Sequence, residues 1–226
     1  MIKIENVSKS FTLGNEKIYA LDKINFEVKK GEFISIIGPS GSGKSTLMNI
    51  IGLLDVPDSG KYYLDNNDIS KLSDNELATF RSKSIGFVFQ NFNLLPKLTA
   101  LDNVMVPLLY QGYKNEDASE KAKEALNKLG LSHRYKHLPS QLSGGQMQRV
   151  AIARAIVSNP KIILADEPTG AVDSKTGEDI IKIFEDLNKN GETIILITHD
   201  MKVASHAKRI MRISDGKIFK GEAVWN

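Results

Sequence analysis

The chain has 226 residues with an ordinary composition, and its 30 basic and 27 acidic residues leave a formal net charge of +3. The length favours one globular unit with a possible subdomain, and the charge balance gives no argument for nucleic-acid binding. The sequence contains no cysteine, which excludes disulfides and thiolate metal sites, and its longest apolar runs, FISIIG and TIILIT, are too short to span a membrane. If the protein works at a membrane, another chain must supply the spans.

The amino-terminal part predicts strands followed by a helix. The segments IKIENV and INFEV, within the first thirty residues, are typical of antiparallel strands. The apolar run 33–37 does not alternate with polar residues, which predicts a strand buried on both faces of a parallel sheet. One helix face, with the spacing i, i+3, i+4, i+7, then comprises Leu47, Ile50, Ile51 and Leu54.

The middle of the chain predicts helices only. Ala118, Ala122 and Leu126 share one helix face, and Gly130 stands where a carboxyl-terminal cap belongs. A second helix is expected from about Ser143 to Val157, before Asn159-Pro160 stops it. Since no strong strand is expected between about Gln90 and Pro160, this stretch is predicted to be a helical insert in an α/β core.

The carboxyl-terminal part returns to strands alternating with a helix. The apolar runs 162–165 and 193–198 predict two more buried strands. The helix between them has an apolar face with the spacing seen before: Ile180, Ile183, Phe184 and Leu187. The segment SDGKIF predicts a hairpin turn. Strands that alternate with helices in this way predict an α/β sheet whose strand ends carry the functional site.

The segment GPSGSGKST matches the phosphate-loop pattern, with a predicted strand before it and a helix after it. Its glycines allow backbone N–H groups to curl around phosphate oxygens, and the helix start adds a favourable dipole. Lys44 can reach the β- and γ-phosphates, and the Ser45 hydroxyl can bind Mg²⁺. The predicted phosphate-binding residues are Gly38, Ser40, Gly41, Gly43, Lys44, Ser45 and Thr46.

Polar residues at other predicted strand ends complete a hydrolytic site. Asp166 ends the strand in IILADEP and can hold Mg²⁺ through water, while Glu167 can orient or deprotonate an attacking water. His199 can reach the γ-phosphate or that water, and Gln90, after IGFVF, can contact Mg²⁺ or water. The competing interpretations are a common acidic loop, a capping histidine and a solvated glutamine.

Two further patterns are interpreted as solvated surface. His133 and His137 have the spacing of a shared metal site on a helix, but no third ligand lies near them in sequence. The segment YKHLP and scattered lysines lack the aromatic and basic stripe of a nucleic-acid surface. No partner nucleic acid is therefore expected.

The segments GPSGSGKST, LSGGQ (142–146), ILADEP, AVD (171–173) and THD (198–200), together with Gln90, resemble an ABC-transporter ATPase subunit in order and spacing, over essentially the whole chain. The resemblance implies a P-loop NTPase fold with a RecA-like mixed sheet core, an N-terminal antiparallel β-subdomain and a helical signature subdomain. It implies a single nucleotide-binding domain, residues 1–226, with 1–90 and 161–226 as catalytic core and 91–160 as helical subdomain.

The resemblance also explains why LSGGQ is a second glycine-rich helix start without a lysine. In such ATPases two copies pair head to tail, and Mg²⁺-bound ATP lies between the phosphate loop of one copy and the signature helix of the other. The implied signature contacts are Ser143, Gly144, Gly145 and Gln146. Phe11 matches the aromatic residue that stacks on adenine, although many members have tyrosine. Asp173 matches the loop that links the two sites, where Val172 replaces the usual leucine.

The resemblance further implies a transmembrane permease as partner and a peripheral location on the cytoplasmic face of the membrane. DEPTG, ending at Gly170, resembles the lipoprotein-release, macrolide-export and antimicrobial-peptide-resistance branch, because importers more often have serine there. An importer subunit and a soluble ABC-type ATPase without a permease are the alternatives. A small-molecule kinase would leave LSGGQ unexplained, and Glu167 and His199 argue against a non-catalytic regulator.

Overall fold

The computed structural model describes residues 1–14 and 16–220 of the chain. The protein divides into two compact units. The first unit comprises Met1–Arg81 and the chain from Asn188 onward, and the second unit comprises Ser82–Leu187. Both units contain parallel strands, and the predicted α/β class is confirmed.

The first unit contains a four-stranded antiparallel sheet, in the order β2-β1-β4-β5. Its strands are β1 (Ile2–Leu13), β2 (Glu16–Val28), β4 (Ser59–Leu64) and β5 (Asn67–Asp68). Ile2 and Ile4 are buried on one face while Lys3 between them is exposed, which is the alternation of a half-buried strand. The predicted antiparallel pairing of the first thirty residues is confirmed, with Ile2 opposite Val28.

The second sheet of the first unit is built from parallel strands. β3 (Phe33–Ile37) pairs in parallel with both β8 (Ile194–Thr198) and β9 (Arg209–Ser214). The antiparallel strand β10 (Lys217–Lys220) joins β9 through the predicted hairpin, whose turn residues Asp215 and Gly216 both have positive φ. The helices of this unit are α1 (Lys44–Ile51) and α7 (Met201–Ala204), with a short 3₁₀ helix at Ile69–Lys71.

The second unit is mostly helical. Its strands β6 (Ile85–Phe89) and β7 (Ile162–Asp166) are parallel neighbours, with Phe89 in register with Asp166. Between them lie α3 (Ala100–Tyr110), α4 (Asn115–Lys128), a 3₁₀ turn (Pro139–Gln141) and α5 (Gly144–Ile156). As predicted, residues 91–160, all of which the structure describes, contain no strand. Two helices carry the chain between the units: α2 (Asp74–Ser84) and α6 (Ser174–Lys189).

The capping prediction at Gly130 is confirmed, and one helix-face prediction is wrong. Gly130 has φ +72°, and the Leu131 N–H donates to the Leu126 carbonyl at 2.9 Å, as in a Schellman cap. Leu54, predicted on the apolar face of α1, lies beyond the end of that helix and is 48% exposed. The chain leaves the helical path at Leu53, whose φ is +57°, so the sequence spacing no longer describes one face.

The division into a core of residues 1–90 and 161–226 and a helical subdomain of residues 91–160 stays a prediction, and residues 221–226 lie outside the described part. None of the helices within residues 1–14 and 16–220 combines the length and apolar character needed to cross a membrane.

Candidate nucleotide-binding site

The phosphate loop joins the end of β3 to the start of α1 in the first unit. Gly43 is the N-cap of α1, with φ +104°, and no side chain caps this helix start. The Leu47 N–H donates to the Gly43 carbonyl at 2.8 Å, so regular helical bonding begins immediately after the loop. The loop therefore presents a helix amino terminus, with its dipole and unsatisfied N–H groups, at the end of a buried strand.

The three loop glycines have different reasons to be glycine. A Cβ at Gly38 would lie 2.2 Å from the Ile213 carbonyl oxygen, and one at Gly43 would lie 2.3 Å from the Ala20 carbonyl oxygen. Gly41 has φ +77° with no atom within 4 Å of its would-be Cβ. Gly38 and Gly43 are thus required by close packing against the chain itself. Gly41 supplies the left-handed turn that shapes the open side of the loop.

The loop chemistry fits a polyphosphate anion. The Lys44 Nζ donates to the carbonyls of Gly38 and Pro39, at 2.8 Å each, which holds the ammonium group against the loop. The buried Ser42 hydroxyl has no hydrogen-bond partner within the described part of the chain. Ser45 is exposed in the first turn of α1. A cation, hydroxyls and a helix start on one short segment are the groups that bind phosphate and its Mg²⁺.

His199 lies at the same sheet edge as the phosphate loop. Thr198 is in register with Ile37, so His199 and Gly38 each follow the end of a neighbouring parallel strand. The histidine is exposed, and Asp200 after it caps α7 by accepting from the Lys202 N–H at 2.7 Å. The structure therefore brings His199 and the phosphate loop to one edge of the first unit, as the sequence predicts.

Phe11 lies on the hairpin whose second strand touches the phosphate loop. It pairs with Ile18 of β2, two residues before Ala20, the residue whose carbonyl closes on Gly43. Phe11 is 50% exposed. The Lys9 Nζ lies 5.8 Å from the ring centroid. An exposed aromatic face beside a phosphate loop can stack on a nucleotide base.

In the second unit, the acidic loop and the glutamine lie together. Gln90 and Glu167 follow the in-register pair Phe89 and Asp166 at the ends of two parallel strands. A Cβ at Gly170 would lie 2.6 Å from the Gln90 Nε2, so the glutamine side chain lies against the turn after Glu167. Glu167 has φ +44°, a left-handed conformation that is uncommon for this residue type.

The LSGGQ segment forms the start of α5 in the second unit. Ser143 is the N-cap: its Oγ accepts from the Gln146 N–H at 3.3 Å, and the Gln146 Oε1 accepts from the Ser143 N–H at 3.0 Å. This reciprocal pair is a capping box. The capping-serine interpretation is thus confirmed as a structural role, which leaves the hydroxyl proton of Ser143 available to donate.

The AVD segment packs against this helix start. A Cβ at Gly145 would lie 2.4 Å from the Thr176 Cγ2, and one at Gly144 would lie 3.5 Å from the Ala171 carbonyl oxygen. The Asp173 carboxylate accepts from the Thr176 Oγ1 at 2.6 Å and from its N–H at 3.0 Å. These hydrogen bonds hold the pKa of Asp173 below its usual value. The second unit therefore places Asp173 beside the glycines of the signature helix.

Two residues of α5 that sequence analysis missed also touch these loops. The Gln148 Nε2 donates to the Pro168 carbonyl at 2.7 Å and to the Phe89 carbonyl at 3.4 Å. The Arg154 guanidinium donates to the carbonyls of Phe92 and Asn93. The sequence did contain a signal for Gln148. Its spacing from Gly145 and Ile152 places it on the same buried helix face, where a polar side chain needs a hydrogen-bond partner.

The paired histidines lie in a loop and do not share a helix face. His137 lies 2.9 Å from the Arg134 guanidinium through its Nε2, and neither histidine is in a helix. Within the ranges that the structure describes, no group of three or more His, Cys, Asp or Glu side chains could hold a metal ion. The interpretation of both histidines as solvated surface stays a prediction.

The chain is similar in sequence to ATP-binding proteins of ABC transporters. A family model described as ABC transporter matches residues 21–170. The chain is 55% identical over 218 residues to an ABC transporter ATP-binding protein of Bacillus subtilis, YknY, covering 96% of this chain and 95% of YknY. It is 48% identical to the macrolide export ATP-binding/permease protein MacB of Vibrio parahaemolyticus, over 96% of this chain but 33% of MacB.

A solved structure is similar over the full length. It is the dimeric post-hydrolysis state of the ATP-binding cassette MJ0796, bound to ADP and Pi. It matches with a TM-score of 0.91 and 49% sequence identity, and the match covers 100% of both chains.

Proposed function

We propose that this chain, which belongs to the ABC transporter family as an ATP-binding and ATP-hydrolysing subunit, pairs head to tail with a second copy around ATP. The observation that carries the proposal is the presence of two helix starts of complementary chemistry. One, at Lys44, carries a cation. The other, at Ser143, is neutral and capped, with two glycines in its first turn. MJ0796, which is similar over its whole length, forms a dimer with ADP and Pi.

On the phosphate-loop side, the lysine and the backbone N–H groups bind the phosphates, and a hydroxyl binds the metal. Lys44 contacts the β- and γ-phosphates, and the backbone N–H groups of the loop surround the remaining oxygens. These N–H groups belong to Ser40, Gly41, Gly43, Ser45 and Thr46, with Gly38 at the base of the loop. The Ser45 hydroxyl would be a ligand of Mg²⁺, and the bound ion would supply positive charge that offsets the charge of the phosphates.

The hydrolytic groups come from the ends of three strands. Asp166 would help to hold Mg²⁺, and Gln90 would contact the metal or the attacking water. Glu167 is the general base, and it follows Asp166 at the end of β7, next to the strand end that carries Gln90. His199 contacts the γ-phosphate or the attacking water.

Phe11 is the platform for the adenine ring. Half of the side chain is exposed, and Lys9 lies over the ring, with its Nζ held by the Asp55 carboxylate at 2.7 Å. The lysine leaves one ring face for the base. The missing hydroxyl, relative to the tyrosine of many family members, does not affect stacking.

Ser143, Gly144, Gly145 and Gln146 act on the nucleotide held by the partner copy. The Ser143 hydroxyl donates to the γ-phosphate, and the helix dipole favours that negative charge. Close approach of a triphosphate requires small residues, which Gly144 and Gly145 provide. Asp173, whose neighbours pack on Gly144 and Gly145, connects this contact to the acidic loop of its own chain.

The partner that uses this cycle is a separate transmembrane permease, which places the subunit on the cytoplasmic face of a membrane. ATP closes the dimer and hydrolysis reopens it, which moves the permease between two states. An export or mechanotransmission system is favoured by the similarity to MacB and by Gly170, where importers more often have serine. An importer subunit and a permease-free ATPase remain the alternatives, and the permease that co-purifies from membranes decides among them.

Substitution of Glu167 by glutamine tests the hydrolytic part of the proposal. The change keeps the size of the side chain but removes its basic oxygen, so turnover is expected to fall by about 100- to 10,000-fold. ATP binding is expected to persist, because the phosphate loop is unchanged, and the ATP-bound dimer should accumulate. Turnover is measured by phosphate release, and dimers by size-exclusion chromatography with ATP.

Glu124→Gln, an exposed change on α4, is the matched control and should leave both measurements unchanged. Turnover within about threefold of wild type in Glu167→Gln would rule out Glu167 as general base.

A further inference from the structure

Gln148 connects the signature helix to two loops at once. Its side chain is fully buried, with 0% of its surface exposed. The Nε2 donates to the Pro168 carbonyl at 2.7 Å and, more weakly, to the Phe89 carbonyl at 3.4 Å. Carbonyl oxygens only accept hydrogen bonds, so these two partners fix which end of the amide faces them. The Oε1 at the other end has no partner within the described residues.

The two carbonyls belong to the residues next to the proposed hydrolytic groups. Pro168 directly follows Glu167, and Phe89 directly precedes Gln90. Glu167 has φ +44°, a conformation that persists in a structure only when its surroundings hold it. The 2.7 Å bond fixes the peptide one residue after this strained position. The side-chain amide of Gln148 therefore helps to fix the backbone next to both Glu167 and Gln90.

A second side chain of the same helix holds the continuation of the glutamine loop. The Arg154 guanidinium donates to the Phe92 carbonyl at 2.8 Å and to the Asn93 carbonyl at 2.6 Å. Phe92 and Asn93 both have positive φ, 60° and 48°. Hence Gln148 and Arg154 of α5 both hold the chain at or after the end of β6, and of these two side chains Gln148 also donates to the loop after β7.

We propose that Gln148 is a positioning residue that holds the loops of Gln90 and Glu167 in register with the signature helix. The inference rests on the hydrolytic roles proposed above for these two residues. Helix α5 begins at Ser143, the proposed contact with the partner's nucleotide, and Gln148 lies five residues later on the same rigid element. Through it, the helix that touches one nucleotide fixes the hydrolytic groups that serve the other.

A purely structural role is the competing explanation, and the chain offers a matched control for it. Asn188 in the first unit is also a buried amide, 7% exposed. Its Nδ2 donates to the carbonyls of Gly31 at 2.9 Å and Glu192 at 2.8 Å. These residues precede β3 and β8, so they lie at the opposite strand ends from Gly38 and His199. Asn188 has the same chemistry but no link to the hydrolytic groups.

The experiment compares Gln148→Met with Asn188→Leu in the full chain. Each change leaves two carbonyls without their side-chain donor, and each is expected to lower Tm by about 2–8 °C. Gln148→Met should lower kcat for ATP by about 10- to 100-fold, as loss of an orienting partner does, with KM within about twofold. Asn188→Leu should change neither kcat nor KM by more than about twofold.

The proposal also predicts that Gln148 acts through Glu167. In a Glu167→Gln background, Gln148→Met should cause no further loss of turnover, and the isolated dimer should retain as much ATP as Glu167→Gln alone. If Gln148→Met does not fold, Gln148→Asn, which is one methylene shorter, must show the same separation of kcat from KM.

Two results would overturn the inference. One is a normal kcat in Gln148→Met while Glu167→Gln is inactive, which leaves the proposed function intact. The other is a parallel loss of kcat and Tm in both Gln148→Met and Asn188→Leu, which indicates a structural role only. An active Glu167→Gln variant would instead remove the proposed function and, with it, the premise of this inference.

Discussion

The two glycine-rich helix starts of this chain, at the phosphate loop and at LSGGQ, differ in how their first turns are satisfied. At α1 the N-cap is Gly43 in a left-handed conformation, with no side chain to cap the helix. At α5 the N-cap is Ser143 in an extended conformation, with a complete capping box formed by Gln146. The first turn of α1 thus keeps its N–H groups for an external acceptor, whereas α5 satisfies part of its own.

The two helix starts also differ in charge, since only the phosphate loop carries a cation. Lys44 places an ammonium group 2.8 Å from two loop carbonyls, while LSGGQ contains no cation at all. A helix start with free donors and a cation can bind a polyphosphate by itself. A capped neutral start offers a hydroxyl, a dipole and close approach, which contribute less when alone. The comparison therefore supports a primary site on one start and a supplementary contact on the other.

The largest expected effect comes from two variants, one with a disabled phosphate loop and one with a disabled LSGGQ segment, that are then combined in a heterodimer. Lys44→Ala and Ser143→Arg should each abolish turnover, because one removes the cation and the other places a bulky group where the γ-phosphate must lie. In a head-to-tail heterodimer one site carries both changes and the other carries neither. With Glu167→Gln in both chains, the isolated heterodimer should retain about one ATP.

Retention is measured with radiolabelled ATP on tagged heterodimers, and the Glu167→Gln homodimer serves as the positive control. A confirmed heterodimer that retains no ATP would contradict the shared site, since every site would then be built from a single chain.

A smaller effect is expected from alanine at one glycine of each helix start, the N-cap Gly43 of α1 and the first helical residue Gly144 of α5. Gly43→Ala forces an alanine into a backbone conformation with φ +104°, and it places the new Cβ 2.3 Å from the Ala20 carbonyl oxygen. We expect a loss of at least about 2 kcal/mol in the free energy of unfolding. Gly144→Ala has 3.5 Å to its nearest neighbours, and alanine is the better helix former, so the change should stay within about 1 kcal/mol.

Urea titration of both variants measures this difference. Equal losses at the two positions would show that the two starts are packed alike, contrary to the structure. The ATPase activity of Gly144→Ala is a separate measurement, because a methyl group there can hinder a partner's nucleotide without affecting folding.

The smallest effect is expected from one serine at each helix start, the N-cap Ser143 of α5 and Ser45 in the first turn of α1. Ser143→Ala removes the N-cap acceptor of α5 and should lower the free energy of unfolding by about 1 kcal/mol. Ser45→Ala removes an exposed hydroxyl and should leave stability within about 0.5 kcal/mol while raising the Mg²⁺ concentration needed for turnover. Urea titration and Mg²⁺ titration of phosphate release check the pair. A Mg²⁺ dependence altered by Ser143→Ala but not by Ser45→Ala would reverse the roles assigned to the two starts.

Several elements of this molecule could be predicted from local sequence alone. The strand at 33–37, the loop at 38–46 and the helix after it follow from apolar runs and glycine spacing, and the structure has them where predicted. The Gly130 cap and the hairpin at Asp215 follow from turn chemistry, which is also local. Leu54 shows the limit: the spacing continues in sequence, but the helix ends at Ile51.

Other features were decided only by tertiary structure, because they depend on residues far apart in the chain. That Gly38 and Gly43 must be glycine follows from Ile213 and Ala20, which no local pattern connects to the loop. The placement of Gln90 against Gly170, and the reach of Gln148 to Pro168, join segments that lie 80 and 20 residues apart. The sequence alone determined which groups could bind and hydrolyse a nucleotide, since each motif carries its own chemistry. Only the packing of strands and helices decided which backbone atoms hold those groups in place.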